Sequence, residues 1–359
     1  AMTIHEEIER IHHFCGDVPG PVQFMEVCGT HTMAVFRSGL NALLPDKVKL
    51  LSGPGCPVCV TGVSFVDHAI ALARQPAVTV ATFGDMLRVP GSRESLEQAR
   101  ADGASVQVVY SPLDALKMAR NQTSQHIVFL GIGFETTAPT IAWTIKNAAE
   151  SGVKNYSVLC AHKTMPHAMA GLLADQDIKI DGFLCPGHVS VIIGARAYQP
   201  LAEQFNTPCV IAGFEARDVA AAIRMLLEQV IAGQALVENQ YRRSVTPEGN
   251  KAAQDVLADV FEEADAHWRG LGEIPRSGLA IKSRYGDHDA TRRFPDLDLP
   301  PVVEHRGCRC GDVLRGTCTP EDCPLFGHTC TPANPVGACM VSSEGTCAAY
   351  YKYGRKIKT

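Results

Sequence analysis

The sequence carries no excess of basic charge: 33 Lys and Arg stand against 38 Asp and Glu, a formal net charge of -5. Such a balance offers no cationic face to a phosphate backbone, so a nucleic-acid role is disfavoured. Long apolar runs are missing as well. Nothing approaches the ~18–20 residues of a membrane-spanning helix, and Glu6, Glu7, Glu9, Arg10, His12 and His13 leave the N-terminus too polar for an export signal. The expectation is a soluble cytoplasmic protein without a membrane partner. Walker A spacing is absent, and Gly131 and Gly133 lack the third glycine of a dinucleotide fingerprint. A nicotinamide or flavin site is therefore unsupported.

What is present is a chain of 359 residues, 46% of them hydrophobic, enough for two or three domains. From residue 22 to about 235, short β-branched runs alternate with helical stretches, the pattern of βα units feeding a parallel sheet. Strands are predicted at 22–27, 48–51, 78–83, 106–110, 127–130, 156–160, 182–184 and 208–211. That is too many for one small sheet. The reading is two doubly wound, Rossmann-like α/β halves facing a cleft, 22–148 and 149–235, with Gly133-Phe134-Glu135 echoed by Gly213-Phe214-Glu215. After a helix at 216–231 come a polar stretch, a helix ending near Trp268, and Gly/Pro-rich chain. Residues 236–359 thus form a cysteine-rich C-terminal domain, one that could recruit the N-terminal segment 1–21.

Fourteen cysteines in a small secreted domain would mean a disulfide scaffold, but here they are unevenly placed in a long chain. Seven fall within residues 308–347: Cys308, Cys310, Cys318, Cys323, Cys330, Cys339 and Cys347. Four thiolates suffice for a cubane iron–sulfur cluster. The surplus of three suits a cluster beside a redox-active pair, with Cys₄ zinc as the alternative. Cys15, Cys160, Cys185 and Cys209 lie in or beside apolar runs and read as packing residues.

In open α/β sheets, ligands collect beyond the carboxyl ends of the strands, so post-strand loops deserve inspection. The first is Glu26-Val27-Cys28-Gly29-Thr30-His31-Thr32, a thiol at the start of a helix whose first turn can lower its pKa. The bland alternative is a buried cysteine before a Thr N-cap, though Gly29 and His31 suit an accessible site better. The second is Gly53-Pro54-Gly55-Cys56-Pro57-Val58-Cys59, whose C-x-x-C can close a disulfide, chelate a metal or be a mere turn. No second C-x-x-C or His pair follows nearby, so zinc is the weaker use. Asp85, Glu135, Thr136, His162, Lys163 and His188 follow other strands, where they serve as helix caps, hydrogen-bond partners or cleft residues.

Taken together, these loops resemble the HypD family of hydrogenase maturation factors over nearly the whole chain. The marks are Met25–Thr32, Gly53–Cys59, Gly133–Thr137, Pro186–Ser190 and Met340–Cys347. The resemblance implies a redox-active scaffold for the Fe(CN)₂CO centre of nickel-iron hydrogenases. With the small partner HypC it would hold iron while carbon monoxide and cyanide are added, the cyanide arriving from HypE after HypF has processed carbamoyl phosphate. The hydrogenase large subunit is an indirect partner.

The same resemblance makes Cys28, Cys56 and Cys59 the mononuclear-iron ligands, with His31 and Glu344 as functional neighbours. It also implies a 4Fe-4S cluster on Cys308, Cys323, Cys330 and Cys347, with Cys310 and Cys339 as the redox pair. This arrangement is similar to that of ferredoxin-thioredoxin reductase. Cys318 is an alternative ligand to Cys308. Two rivals stand beside this reading: a cluster-dependent thiol-disulfide oxidoreductase acting on protein disulfides, and a zinc-stabilised interaction module.

Overall fold

A computed structural model describes residues 2–175 and 177–354. The strands in chain order are β1 (Val22–Glu26), β2 (Val48–Ser52), β3 (Val78–Thr82), β4 (Val106–Val108), β5 (His126–Gly131) and β6 (Tyr156–Cys160). After these come β7 (Gly182–Pro186), β8 (Cys209–Ala212), β9 (Val237–Asn239), β10 (Phe261–Trp268) and β11 (Gly272–Ile281). All eight expected strands form. Their Val/Ile-rich runs are covered on both faces by helices, which is why β3 and β8 are buried along their whole length.

The strands make two parallel sheets, ordered β2-β1-β7-β8-β9 and β4-β3-β5-β6, and one antiparallel hairpin, β10-β11. Two parallel sheets match the α/β reading, but sheet membership departs from halves split at residue 148. The chain leaves the first sheet after β2, builds the whole second sheet, and returns for β7 beside β1. Consequently β6, assigned from sequence to the second half, pairs with β5, while β1 and β2 share a sheet with β7–β9. Parallel pairing needs long crossovers, and here one crossover encloses another sheet.

The N-terminal helix Ile4–Cys15 does not join the C-terminal segment. Its Ile11 and Cys15 pack into the apolar cluster under helix Ala216–Ala232, and Glu7 pairs with Arg224 Nε at 2.7 Å. The helix expected to end near Trp268 is instead helix Lys251–Val260 followed by β10. Glu262, Glu263 and Ala264 favour helix locally, yet register with β11 places them in an antiparallel ladder. Trp268 at the end of β10 is fully buried, stacks near Phe134 at 6.0 Å and donates its Nε1–H to Ser277 Oγ at 2.7 Å.

Candidate functional site

In both sheets the strand order reverses direction beside the first strand entered, between β1 and β7 and between β3 and β5. Loops diverge there and leave a crevice. The β1–β7 crevice receives Cys28 after β1, Cys56 and Cys59 after β2, and His188 after β7. Two glycines bring the first two loops together. A Cβ on Gly55 would lie 2.2 Å from the Cys28 nitrogen, so only hydrogen fits, and Gly29 N–H donates to the Gly55 carbonyl at 3.1 Å. Cys56 and Cys59 are joined in a disulfide with Cα atoms 5.2 Å apart, and Cys56 Sγ accepts from Cys59 N–H at 3.2 Å, starting the short helix Pro57–Val60.

A third element closes on these loops from the far end of the chain. Gly29 lies against Glu344, whose Cβ sits 2.6 Å from where a Gly29 side chain would begin. Thr30 Oγ1 donates to Glu344 Oε1 at 2.7 Å. The same C-terminal turn reaches the second crevice, where Ser342 Oγ donates to Asp85 Oδ2 at 3.4 Å. One turn, 342–345, thus touches the carboxyl ends of both sheets. Behind it, helix Thr346–Tyr353 packs on helix Gly29–Ser38, with the Phe36 and Tyr350 rings 4.5 Å apart.

Electrostatics at the crevice differ from the simple helix-terminus argument. Cys28 is the residue that begins helix Gly29–Ser38, yet burial outweighs the backbone N–H groups of His31 and Thr30 and pushes its thiol up to about 11. The nearby Glu344 carboxylate adds to that rise. His31 is fully buried rather than accessible. Its Nε2 faces the carbonyls of Gly213 at 3.0 Å and Ala212 at 3.2 Å, while Nδ1 has no partner, and burial lowers its pKa to about 4. A neutral ring donating through Nε2–H leaves Nδ1 as a buried acceptor.

Phe214 stacks on both His31 (4.9 Å) and exposed His188 (3.9 Å), so the repeated Gly-Phe-Glu supplies a spacer between two imidazoles. Burial lowers the His188 pKa, and the Glu344 charge opposes that fall.

Comparison with known proteins decides the ancestry. The family model described as "HypD: Hydrogenase formation hypA family" matches residues 2–354. The chain belongs to that HypD family. It is 49% identical over 341 residues to the hydrogenase expression/formation protein HupD of Azotobacter chroococcum mcd 1, covering 93% of this chain and 90% of that protein. The hydrogenase maturation factor HypD of Azotobacter vinelandii gives the same identity and coverage. HypD of Escherichia coli (strain K12) is 47% identical over 346 residues, 96% of this chain and 92% of its own.

The remaining cysteines of this HypD-family chain divide as follows. Cys308, Cys310, Cys323, Cys330, Cys339 and Cys347 line one small cavity, together with Val313, Leu325, Phe326 and Met340. Cys318 is not among the lining residues. The Cys310 and Cys339 sulfurs lie 2.7 Å apart, placed to close a disulfide on oxidation. Helix Ala338–Val341, carrying Cys339, packs on helix Pro57–Val60, carrying Cys59.

Among the described residues, no group of three or more His, Cys, Asp or Glu side chains is arranged to hold a metal ion. For Cys56 and Cys59 the disulfide is sufficient reason, since bridged sulfurs are not thiolate donors. Cys15, Cys185 and Cys209 are buried as packing residues, and Cys160 Sγ meets the Leu279 carbonyl at 3.1 Å.

Glu135, His162 and Lys163 lie at the ends of the second sheet and serve that sheet's packing. Glu135 Oε1 accepts from Met165 N–H at 2.9 Å, and Lys163 Nζ sits 5.9 Å over the Trp268 ring. Sequence reasoning passed over Arg269 entirely. It occupies the turn between β10 and β11, just past the point where a helix was expected to end, and no local signal marked it. Its backbone N–H donates to the Val60 carbonyl at 2.9 Å and its Nε to the Thr61 carbonyl at 3.0 Å, the carbonyls that end the C-x-x-C helix.

Proposed function

We propose that this chain is a hydrogenase maturation factor that serves as a redox-active scaffold for the Fe(CN)₂CO centre of nickel-iron hydrogenases. Iron is its substrate, held through Cys28, Cys56 and Cys59 in company with HypC, with cyanide accepted from HypE. The hydrogenase large subunit receives the product indirectly, and the setting is the cytoplasm. The single observation that supports this reading is the meeting of the Cys28 loop, the Cys56–Cys59 loop and Glu344 at one strand-order switch point, through Gly29 and Gly55.

The chemistry follows from the residues. As a disulfide, Cys56 and Cys59 cannot ligate; two electrons and two protons convert them to a dithiol that can. Soft thiolates enrich the metal for back-donation into cyanide and carbon monoxide, and three protein ligands leave coordination positions open. Glu344, fixed by Thr30, sets a carboxylate beside Cys28. Switching Cys56–Cys59 between its two states therefore switches the site between releasing and gripping iron.

Cys308, Cys323, Cys330 and Cys347 fit a resident 4Fe-4S cluster in donor chemistry, being four sulfurs on one cavity with an apolar wall. Bound there, the cluster supplies single electrons. Cys310 and Cys339 share that cavity, and the helix carrying Cys339 packs on the C-x-x-C helix, so the pair can pass two electrons to Cys56–Cys59 by disulfide exchange.

Anaerobic co-purification with HypC and HypE is expected to yield brown protein with about four irons for the cluster and vibrational bands near roughly 2000 wavenumbers from iron-bound diatomics. A second reading, a thiol-disulfide oxidoreductase, draws on the adjacent Cys310–Cys339 pair. Rapid turnover on protein disulfides without those bands would establish it instead. Colourless, zinc-replete protein would overturn both.

A further inference from the structure

A second cavity, about 290 Å³, shares Cys308, Cys310 and Gly337 with the cysteine-lined one. Its walls include Cys308, Cys310, Arg269, Ser92 and Val303, with exposed His305 and Glu304 beside them. Cys339 does not line it and is fully buried, whereas Cys310 keeps 6% exposure. Of the pair, only Cys310 borders this cavity.

Arg269 keeps only 6% exposure, and its Nη2 has no hydrogen-bond partner. A buried guanidinium normally has its donors satisfied. It is brought here by a backbone contact that only glycines allow: a Cβ on Gly270 would fall 2.2 Å from the Gly311 Cα, next to Cys310. An unsatisfied cation in the wall of a cavity that Cys310 also borders is a site for an anionic group next to a thiol.

We infer that this cavity is the entry port through which an external thiol reductant, bearing an acidic group near its sulfur, reduces the Cys310–Cys339 disulfide. The inference rests on the proposed redox role of that pair. The reductant's thiolate attacks Cys310 Sγ, a mixed disulfide forms, and the Cys310–Cys339 bond breaks with its electron pair left on Cys339, which takes up a proton. A second thiol, on the same donor or another, then attacks the donor sulfur and releases Cys310. Two thiols are oxidised to one disulfide and two protein thiols are restored, so electrons and protons balance. The volume accommodates a cysteine-sized arm rather than a folded domain.

The test uses the anaerobic full-length protein oxidised with diamide, with peptide mass mapping to locate the Cys310–Cys339 bridge. Its reduction is then timed with glutathione, with uncharged 2-mercaptoethanol, and with a thioredoxin-type dithiol protein. Val303→Trp, a change at an exposed side chain whose backbone N–H to Ser92 Oγ is retained, is expected to slow reduction at least about tenfold by blocking access. Alkylation of Cys318, outside the cavity, should be unchanged. Arg269→Gln should slow glutathione more than 2-mercaptoethanol. If thioredoxin works on the wild type and fails on Val303→Trp, the natural arm belongs to a protein; if only glutathione does so, it is a small molecule. A bridge that forms but is reduced equally fast in Val303→Trp overturns the port alone, whereas no bridge between Cys310 and Cys339 overturns the redox pair and the port with it.

Discussion

Thr30 and Glu344 are 314 residues apart in sequence and joined by a 2.7 Å hydrogen bond from hydroxyl to carboxylate. That bond ties the C-terminal turn to the loop carrying Cys28 and makes the tail of the chain a wall of the crevice. Thr30→Val keeps the shape and removes the donor. It is expected to cost about 1.5–3 kcal/mol, the usual loss for a hydrogen bond to a charged group, read as a lower urea midpoint at unchanged m-value.

The Gly55–Cys28 approach is sharper, because no flexible atom can yield. Gly55→Ala forces a methyl to within 2.2 Å of the Cys28 backbone. A loss of ~3 kcal/mol or more is expected, at or beyond the upper end of overpacking effects. Gly20→Ala is the control, since nothing lies within 4 Å of its added carbon, and its thermal midpoint should stay near that of the wild type.

Glu135 is buried and burial raises its carboxyl to about 7 from 4.5. Its folded-state value exceeds the unfolded one, so its proton stabilises the fold fully below about pH 4.5, and this contribution is lost as pH rises through about 7. Glu135→Gln keeps an acceptor for Met165 N–H and cannot ionise. Relative to wild type it should gain on the order of 3 kcal/mol at pH 8 compared with pH 4. Urea titrations showing the same difference at both pH values would refute this.

The two groups of cysteines should separate genetically. Cys28→Ala is expected to abolish the diatomic bands while leaving the brown colour and its broad absorbance near ~400 nm. Cys323→Ala should remove that colour while leaving the diatomic bands. Loss of both signals in either variant, with a collapsed circular dichroism spectrum, would mean misfolding rather than divided labour.

Eight strands, their post-strand loops and the cysteine-dense tail were legible in the sequence because each is a local pattern: a β-branched run, a Gly-Pro-Gly-Cys turn, a cluster of thiols. Ancestry was legible too, since five motifs in fixed order carry it. The β10 strand was not, because Glu262–Ala264 favour helix until β11 supplies a ladder partner. Neither was Arg269, a single residue in the turn after that strand.

What tertiary structure alone decided is which strands share a sheet and which side chains meet. Pairing β1 with β7 depends on a crossover that encloses the second sheet, and the free energy of such non-local contacts leaves no mark in any one window of residues. The same holds for chemistry. A cysteine at a helix start suggests a lowered pKa, but Cys28 sits against the Gly55 loop and burial is the larger effect, and burial is a property of the assembled fold.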